Sequence, residues 1–544
     1  MGKVARDKSS DLDGCYSWFI LLGCWLMYLL VVGGTQAFAT VFLETSIANE
    51  TPTEDINWMW NYPLIIMLAL GPFANYLSRR FSFRIVCLAG GLFVSLGSLS
   101  YFGLSKLIPL CYVFLAYGIL TGIGCGLCFA PCSTIISFYF ENRRGFANGF
   151  TVTAGSIGPL ALPFLFRFVV SEYGLMRTFL IYGGFLLNIC VAACFFRQPA
   201  RLETDSIIEK GHRNVNGHVK NAENATKNAE KSTLLNGGGT LNRRNVQSQK
   251  QHKRSCDGFI KLSLFCKPLF TIYALAFLLC MIGYSANVML IPTHVLKHGH
   301  SAEQVFLYVT IIKGSETLGR LFFGSLADLF RVSARKMFMC SMLIAAIFSF
   351  AAPYVTHFYF MCAYSAAIGV FPGSFWSLIS VLLLDFLSLE DLTPAFGLVS
   401  LCLAIGAAVS RFFIGYLEIF TSSEQVTFFT LGGVFVLSAL LLLLIPPIKH
   451  RIKQTRRRKD MENERRILEV VPLRNSCRQK SLLYLPPTPD KREQPEVEDY
   501  EKLTITSKRV SKIYRPFGES DDELDYHDGF EKRNSAPIAN LAEV

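Results

Sequence analysis

Long apolar segments recur along the 544-residue chain, separated by short polar turns. About 20 consecutive apolar residues are enough to cross the hydrocarbon core of a bilayer as an α-helix. Twelve segments have that character, and we expect them near residues 16–43, 58–78, 84–104, 108–134, 146–170, 176–196, 268–293, 304–328, 335–355, 358–387, 393–419 and 425–447. The pattern therefore predicts an all-α protein whose main partner is the lipid bilayer.

Polar stretches divide the twelve segments into two groups of six. The predicted layout is an N-terminal tail, a first six-helix half, a basic loop, a second six-helix half and a C-terminal tail, at residues 1–15, 16–196, 197–267, 268–448 and 449–544. The loop and the C-terminal tail show no apolar period and are expected to be disordered. Two six-helix bundles around a central loop are typical of one large class of secondary transporters.

Composition supports this prediction and excludes other classes. Hydrophobic residues make up 51% of the chain and charged residues only 17%, whereas soluble domains carry about 25% charged residues. The net charge of +12 comes from segments beside the predicted helices, so it does not indicate a nucleic-acid partner. Most of the 16 cysteines lie in apolar runs, where cysteine acts as a small apolar side chain. We expect no cofactor, no metal and, without a nucleotide-binding loop or hydrolase motif, no enzyme.

Basic residues predict the orientation in the membrane. Arg79, Arg80, Arg143, Arg144 and the run at 449–459 all lie on one side of the predicted bundle. Because Lys and Arg are enriched in cytoplasmic loops, both termini and the central loop are expected in the cytoplasm. The loop after the first helix is then extracellular, and its Asn49-Glu50-Thr51 sequence is a candidate glycosylation site.

Charged residues inside apolar helices need an explanation, because each costs roughly 2.5–3.5 kcal/mol at the middle of a membrane helix. Glu316 and Arg320 are four residues apart in the eighth segment and share one face of the helix. They can neutralise each other as a structural ion pair, or they can line a pathway where the guanidinium binds a carboxylate. We favour the second interpretation.

Three further charges are less clear from the sequence. Asp385 ends the tenth segment and is either an interfacial charge or a second partner for Arg320. Arg411 lies in the outer third of the eleventh segment, where we expect its side chain to extend to the membrane surface rather than bind a ligand. Asp328 lies in the turn after the eighth segment, and the equivalent turn follows the second segment, so we expect a structural gating role there.

Two motifs resemble those of the monocarboxylate transporter family (solute carrier family 16) of the major facilitator superfamily. The first is DGCYSW, which contains Asp13, Gly14 and Trp18 at the head of the first helix. The second is YFENRRGFANG, which begins at Tyr139 and continues to an Ala-Gly pair; its characteristic residues are Arg143, Arg144, Asn148, Gly149 and Gly155. The resemblance covers residues 13–448 and implies the twelve-helix major facilitator fold.

The resemblance also implies roles for particular residues. In proton-coupled relatives, an acid and an arginine four positions later serve the proton and the substrate carboxylate, and Glu316 and Arg320 match those positions. In other relatives the arginine pairs with an acid of helix 10, which Asp385 matches, so Asp385 is a second candidate for proton coupling. Phe375 and Ser377 fall where the family lines its substrate pocket.

One departure from the family separates two hypotheses. Ala37 stands where lactate carriers have a lysine, and relatives without that lysine take larger or zwitterionic solutes. The first hypothesis is a plasma-membrane carrier of a small monocarboxylate, coupled to protons. The alternative is a proton-independent carrier of aromatic amino acids, creatine or similar zwitterions. A non-transporting receptor or scaffold is a third hypothesis.

The resemblance also implies a partner. Some relatives need a single-span immunoglobulin-type ancillary protein, so we expect such a partner here.

Overall fold

The computed structural model describes residues 12–38, 40–41, 62–104, 110–199, 261–329, 333–354, 357–421 and 423–455, with five more between 457 and 462. Asn49, most of the central loop and most of the C-terminal tail lie outside the described residues. Residues 1–456 form one compact unit, which holds all the long helices discussed below, and Arg457–Val544 form a second.

Twelve long helical segments occur within the described residues. The first six are α1 (Cys15–Phe38), α2 (62–80), α3 (Phe83–Leu104), α4 (Leu110–Tyr139), α5 (Arg144–Tyr173) and α6 (Leu175–Cys194). The second six are α7 (Pro268–Lys297), α8 (Ala302–Leu329), α9 (Ala334–Ala351), α10 (Phe358–Leu384), α11 (Leu389–Thr421) and α12 (Glu424–Leu443). The predicted fold class is therefore confirmed.

Ten of these helices are long and apolar enough to cross a membrane on those criteria alone. The two exceptions are α2 and α8. The described part of α2 is interrupted at Leu70, and α8 carries Lys313, Glu316 and Arg320 near its middle. Charged residues at that depth are expected to face the interior of the bundle rather than lipid, and this is where the structure places Glu316 and Arg320.

Two helices change geometry where they approach the centre of the bundle. The segment Leu29–Gly34 of α1 is π-helical, a rare form that often occurs at functional sites. In α10 a short 3-10 turn at Pro372–Ser374 separates Phe358–Val370 from Phe375–Leu384. Since proline lacks a backbone N–H, the regular hydrogen-bond ladder cannot continue through Pro372.

The end of the bundle that carries Arg79, Arg80 and Arg143 is called the basic face here; it includes the turns α2–α3, α4–α5, α8–α9 and α10–α11. At this face α5 crosses α8 of the other half. The carboxylate of Asp328 in α8 accepts hydrogen bonds from the backbone N–H of Gly145 (2.9 Å) and of Phe146 (2.8 Å). These amides lie in the first turn of α5, where helix N–H groups have no partner within the helix.

A second crossing joins α2 and α11 at the same face. Asn75 is almost fully buried, and its side-chain amide donates a hydrogen bond to the carbonyl oxygen of Thr393 at 2.9 Å. The side-chain oxygen of Asn75 accepts a hydrogen bond from the hydroxyl of Thr134 in α4 at 3.4 Å. The two crossings together tie the halves to each other at the basic face.

Candidate functional site

A cavity of about 440 Å³ lies in the middle of the bundle and takes residues from both halves. Its wall includes Val152 and Gly155 of α5, Tyr284 of α7, Trp376 of α10 and Val32 of the π-helical part of α1. The volume falls in the range of about 300–1,000 Å³ that small-molecule sites occupy. The cavity is thus large enough for an organic solute.

Three charged side chains of α8 meet on the cavity wall. Glu316 is 1% exposed and accepts hydrogen bonds from Lys313 Nζ (3.1 Å) on one carboxylate oxygen and from Arg320 Nη2 on the other. The hydroxyl of Tyr284 also donates to Glu316, at 2.9 Å. One buried acid therefore lies between two cations and a phenol, because residues three and four positions apart share one face of a helix.

Arg320 reaches across the boundary between the two halves. Its Nη1 donates to the backbone oxygen of Val152 (2.7 Å) and to the hydroxyl of Ser156 (2.8 Å), both in α5. Its Nε donates to the carbonyl oxygen of Gly373 at 3.3 Å. That carbonyl belongs to the 3-10 turn in α10, so the interruption of α10 presents an acceptor to the arginine.

Glycines of the second motif make room for this arginine. A Cβ atom on Gly149 would lie 2.6 Å from the backbone oxygen of Arg320, closer than real contacts allow. A Cβ on Gly155 would lie 3.2 Å from Val32 and 3.6 Å from Arg320 Nη1. Small residues permit such close helix approach in membranes. Gly149 and Gly155 therefore bring α5 close to α8 on both sides of the arginine.

The remaining motif residues hold the basic face together. Gly14 is extended and precedes the first turn of α1. Asp13 accepts hydrogen bonds from the backbone N–H and the side-chain amide of Asn142, both at 3.2 Å. The ring of Trp18 lies edge-on to Phe140, with centroids 5.6 Å apart. The first motif thus contacts the second at the α4–α5 turn.

The basic residues of the second motif lie beside these contacts. Arg143 precedes α5 and is exposed, whereas Arg144 donates from Nε to the carbonyl oxygen of Phe140 at 2.6 Å. Asn148 is 4% exposed and lies on the buried side of α5. None of the three lines the cavity, so their placement indicates a structural role.

Aromatic rings lie between the cavity and the basic face. Phe129 of α4 is edge-on to Trp376 of α10, with centroids 5.9 Å apart, and lies 6.3 Å from Phe396 of α11. Tyr28 of α1 adds a ring 5.4 Å from Phe129. These four rings come from both halves and form an apolar floor beneath the charged side chains.

A family model described as Major Facilitator Superfamily matches residues 24–330 and, a second time, 274–487. The chain belongs to this superfamily. Monocarboxylate transporter 12 of Xenopus laevis is 26% identical over 448 residues, covering 81% of this chain and 91% of that protein. Human monocarboxylate transporter 14 is 24% identical, covering 83% and 94%, and human monocarboxylate transporter 1 is 22% identical, covering 84% and 91%.

Solved structures support the same fold. The proton:xylose symporter XylE bound to 6-bromo-6-deoxy-D-glucose has a TM-score of 0.58 at 16% identity and covers 80% of this chain and 96% of that one. The E. coli fucose:proton symporter FucP has a TM-score of 0.55 at 13% identity, with 79% and 98% covered. This major facilitator protein is therefore a multi-pass membrane transporter related to monocarboxylate transporters, rather than an enzyme.

Two residues predicted to line the pocket lie behind its wall in this transporter. Phe375 is fully buried and lies against Trp376, with centroids 4.6 Å apart, and Ser377 donates to the carbonyl oxygen of Ser374 at 2.7 Å. Trp376 itself faces the cavity. Consecutive residues of a helix point about 100° apart, and here Trp376 points to the cavity while its two neighbours do not line it.

For two further charged residues, the structure gives one of the positions left open for Asp385 and differs from the position expected for Arg411. Asp385 is exposed at the basic face, where Lys449 and Arg335 are the basic groups that act on it, and the hydrogen bonds of Arg320 go to other residues. Arg411, expected at the membrane surface, lines the cavity. The tenth helix ends too far from the charged cluster for the first pairing, and the eleventh turns its arginine inward.

Sequence reasoning missed Lys313 and Tyr284. Lys313 was not singled out, yet its spacing of three residues from Glu316 places both on one face. That spacing could have identified it. Tyr284 carries no such signal, because its contact with Glu316 joins residues 32 positions apart on different helices.

Proposed function

We propose that this protein is a secondary transporter of an organic solute that carries one carboxylate, and that a proton moves with it. The observation that carries the proposal is the position of Glu316, a single buried acid between Lys313 and Arg320 on the wall of a cavity shared by both halves. Guanidinium and ammonium groups bind carboxylates, and an acid beside them can exchange a proton.

The hydrogen bonds of the two cations suggest which one meets the solute first. Arg320 has five N–H groups, and the structure engages its Nε, its Nη1 and its Nη2. Lys313 has three N–H groups and is engaged by Glu316, with its side chain 16% exposed. A carboxylate entering the cavity therefore meets Lys313 with spare donors before it can bind Arg320.

Protonation of Glu316 links the proton to the carboxylate. The neutral acid no longer holds Lys313 and the Nη2 of Arg320 by charge, so both donors become available. The cavity lining then carries the charges of Lys313, Arg320 and Arg411 without an ionised carboxylate beside them, which is costly at low dielectric unless an anion enters. Proton binding and carboxylate binding thus favour each other, and the coupling is reciprocal by thermodynamic linkage.

The amine of Lys313 also bears on the missing lysine of helix 1, whose position Ala37 occupies. Ala37 is fully buried and lies off the cavity wall, whereas its neighbour Gln36 lines it. Lys313 places an ammonium in the same cavity from α8 instead of α1. This arrangement supports a carboxylate substrate even without the helix 1 lysine.

The size and lining of the cavity favour a solute larger than lactate. The volume of about 440 Å³ exceeds what a three-carbon acid needs, and Tyr28, Phe129, Tyr284 and Trp376 contribute aromatic surface. Aromatic side chains bury apolar groups well and stack with rings. We therefore place carboxylates with an aromatic or extended apolar body first, and aromatic amino acids are the second candidate class.

The closure at the basic face supports alternating access as the proposed mechanism. The two crossings and the aromatic floor separate the cavity from that face, so release there requires these contacts to part. In this proposal the basic face is cytoplasmic, both termini lie in the cytoplasm, and the carrier acts at the plasma membrane. An immunoglobulin-type ancillary protein is the proposed escort, on the resemblance alone.

Uptake into proteoliposomes tests the proposal. The panel contains labelled lactate, pyruvate, creatine, phenylalanine and an aryl carboxylate such as phenylpyruvate, each measured at two external pH values. We expect faster uptake of the aryl carboxylate at lower external pH, since protonation of Glu316 favours anion binding. Glu316→Gln should remove the pH effect while substrate binding persists, because glutamine cannot release a proton.

Two further variants separate the roles of the cations. Arg320→Ala should abolish uptake, and full uptake by this variant would refute its assigned role. Lys313→Gln should weaken substrate binding about tenfold, the effect of roughly 1.4 kcal/mol lost from a charged hydrogen bond. Lys336→Gln is the matched control, because Lys336 is exposed on α9 away from the cavity.

A further inference from the structure

Arg411 is a charged residue of the cavity wall that the proposed function leaves without a role. It lies in α11, is half-buried and lines the cavity together with Lys313, Glu316 and Arg320 of α8. Placing a guanidinium in the membrane interior is costly, and such residues usually mark a binding site or a solute pathway. The described lining residues therefore carry three cations and one acid, and the third cation comes from a different helix.

Helix α7 lies between Arg411 and the charged side chains of α8. Tyr284 of α7 donates a hydrogen bond to Glu316 of α8 at 2.9 Å. The hydroxyl oxygens of the next residue, Ser285, and of Ser410 in α11 lie 3.1 Å apart. Because consecutive helical residues point about 100° apart, α8 and α11 pack against different sides of α7. The cavity wall thus has two separate cationic groups, and the contact with Ser285 fixes α11 directly beside Arg411.

The two cationic groups lie at a similar depth in the bundle. Arg411 is 18 residues from Thr393, which belongs to the α2–α11 crossing. Lys313 is 15 residues from Asp328, which belongs to the α5–α8 crossing. At a rise of 1.5 Å per residue, these positions are about 27 Å and about 22 Å from the basic face. The difference is about one helical turn, so an elongated solute held at α8 can extend across the cavity to Arg411.

The wall between these groups suits an aromatic ring. Trp376 and Phe129 both line the cavity and lie edge-on to each other, with centroids 5.9 Å apart. Aromatic side chains bury and stack with a ring of the solute. A rigid aryl group in this place would hold two polar groups of the solute apart, one towards α8 and one towards α11.

We propose that Arg411 binds an uncharged oxygen acceptor at the far end of the solute. The preferred substrates are then aryl monocarboxylates with a phenol, ketone or amide oxygen opposite the carboxylate. This inference rests on the proposed function, because it assumes that Lys313 and Arg320 hold the carboxylate. A guanidinium has five N–H donors and no acceptor, so it binds oxygen acceptors and repels an ammonium group in the same place.

Charge balance favours a neutral acceptor over a second carboxylate. In the empty cavity, ionised Glu316 is the one anion beside the three cations of the described lining. After a proton and a monocarboxylate have bound, the carboxylate of the solute replaces that anion, so the net charge is unchanged. A second carboxylate would change the charge of the loaded state alone, whereas a neutral oxygen leaves both states equal.

A set of matched acids tests the proposal on the full-length protein in nanodiscs. The acids are phenylpyruvate and its p-hydroxy, p-fluoro and p-carboxy derivatives, and affinity is read from the rise in melting temperature, because a ligand that binds the folded state stabilises it. We expect p-hydroxyphenylpyruvate to bind about tenfold more tightly than phenylpyruvate, the effect of one hydrogen bond to a charged group. The p-fluoro acid has a similar size but is a weak acceptor, so it should bind like phenylpyruvate.

Variants assign the preference to one side chain. Arg411→Met should remove the preference for the hydroxy acid, and Arg411→Lys, which keeps donors, should retain part of it. The ratio compares two ligands on the same variant, so a general loss of folding or of positive charge changes both affinities alike. Arg177→Met is the control and should keep the full preference, because Arg177 is an exposed arginine of α6 that does not line the cavity.

The outcomes separate this inference from the proposed function. Equal wild-type affinities for the hydroxy and unsubstituted acids, or an unchanged preference in Arg411→Met, would overturn the inference, as would tightest binding of the p-carboxy acid. Uptake of the same acids into proteoliposomes at two external pH values tests the function. A binding preference without pH-dependent uptake would refute proton-coupled transport alone, and no binding of any of the acids would overturn both.

Discussion

The two crossings at the basic face occupy equivalent places in the halves but use different chemistry. At the α5–α8 crossing a carboxylate, Asp328, accepts two backbone N–H bonds at the N-terminus of a helix. At the α2–α11 crossing a neutral amide, Asn75, donates one bond to the carbonyl oxygen of Thr393. Charge-assisted bonds at the positive end of a helix dipole are stronger than bonds between neutral groups.

Arg320 increases the difference in strength between the two crossings. Its bonds to Val152 and Ser156 join the same two helices, α5 and α8, closer to the cavity. The α5–α8 side therefore combines the hydrogen bonds of two charged side chains. The α2–α11 side has a single neutral hydrogen bond among the described residues, beside the close packing of Gly71 on Ser400 and of Gly397 on Pro72. The comparison indicates that related halves can keep one topology and still assign unequal strength to their contacts. We expect α2 and α11 to separate first when the basic face opens.

The largest expected effect comes from Gly149→Val, which breaks the stronger crossing. The added Cβ would lie 2.6 Å from the backbone oxygen of Arg320, so α5 must move away from α8. We expect a cost of about 3 kcal/mol, the upper range for overpacking, and almost no monodisperse protein on size exclusion. Gly184→Val is the control, because nothing lies within 4 Å of a Cβ at that position. Normal yield from Gly149→Val would contradict the packing argument.

A smaller effect is expected from Asn75→Asp at the weaker crossing. The substitution removes the side-chain N–H group that donates to the carbonyl oxygen of Thr393. It also places a charged carboxylate oxygen near that carbonyl oxygen. The unsatisfied, buried pair should cost about 1–3 kcal/mol, measured as a lower melting temperature in detergent. Asn75→Ser, which retains a donor, should recover part of the loss. An unchanged melting temperature would show that this bond does not hold the crossing.

The smallest effect is expected from Asp328→Asn. The amide keeps one oxygen acceptor for the N–H groups of Gly145 and Phe146 but loses the charge that interacts with the helix dipole. The expected cost is about 0.3–1 kcal/mol, read from the same melting curves. Asp391→Asn is the matched control, since its ion pairs with Lys261 and Lys267 are partly exposed to solvent and contribute little. A larger cost than that of Asn75→Asp would contradict this prediction, because it would show that the charge of Asp328 contributes more than the acceptor oxygen that asparagine retains.

Most of the fold could be predicted because it depends on segment length and apolar composition. The eighth helix was expected at 304–328 and occupies Ala302–Leu329. The interruptions were not predicted. The π-helical segment in α1 has no compositional signature, and the break in α10 was placed inside one continuous span at 358–387 although Pro372 and Gly373 mark it. Such features depend on contacts with neighbouring helices.

The candidate site was predicted in part, for a similar reason. Contacts within one helix follow from spacing, so Glu316 and Arg320 could be paired from the sequence alone. Contacts between helices do not follow from spacing. The sequence therefore did not identify Ser156 as a partner of Arg320 or Tyr284 as a partner of Glu316. Phe375 and Ser377 were expected on the pocket wall, whereas the structure places Trp376 there. The 3-10 turn before Phe375 changes the rotation of the helix at this point, and the sequence pattern did not predict that turn.

The contact between α1 and α5 has a consequence for inherited variation. Gly33 and Gly158 face each other so closely that a Cβ on Gly33 would lie 2.8 Å from the Cα of Gly158. Every missense change of a glycine codon adds at least a Cβ atom. Unlike positions where a conservative replacement exists, these two codons have no mild amino-acid substitution. Missense alleles at either position should therefore behave as loss-of-function alleles, and allelic series at these sites should lack intermediate phenotypes.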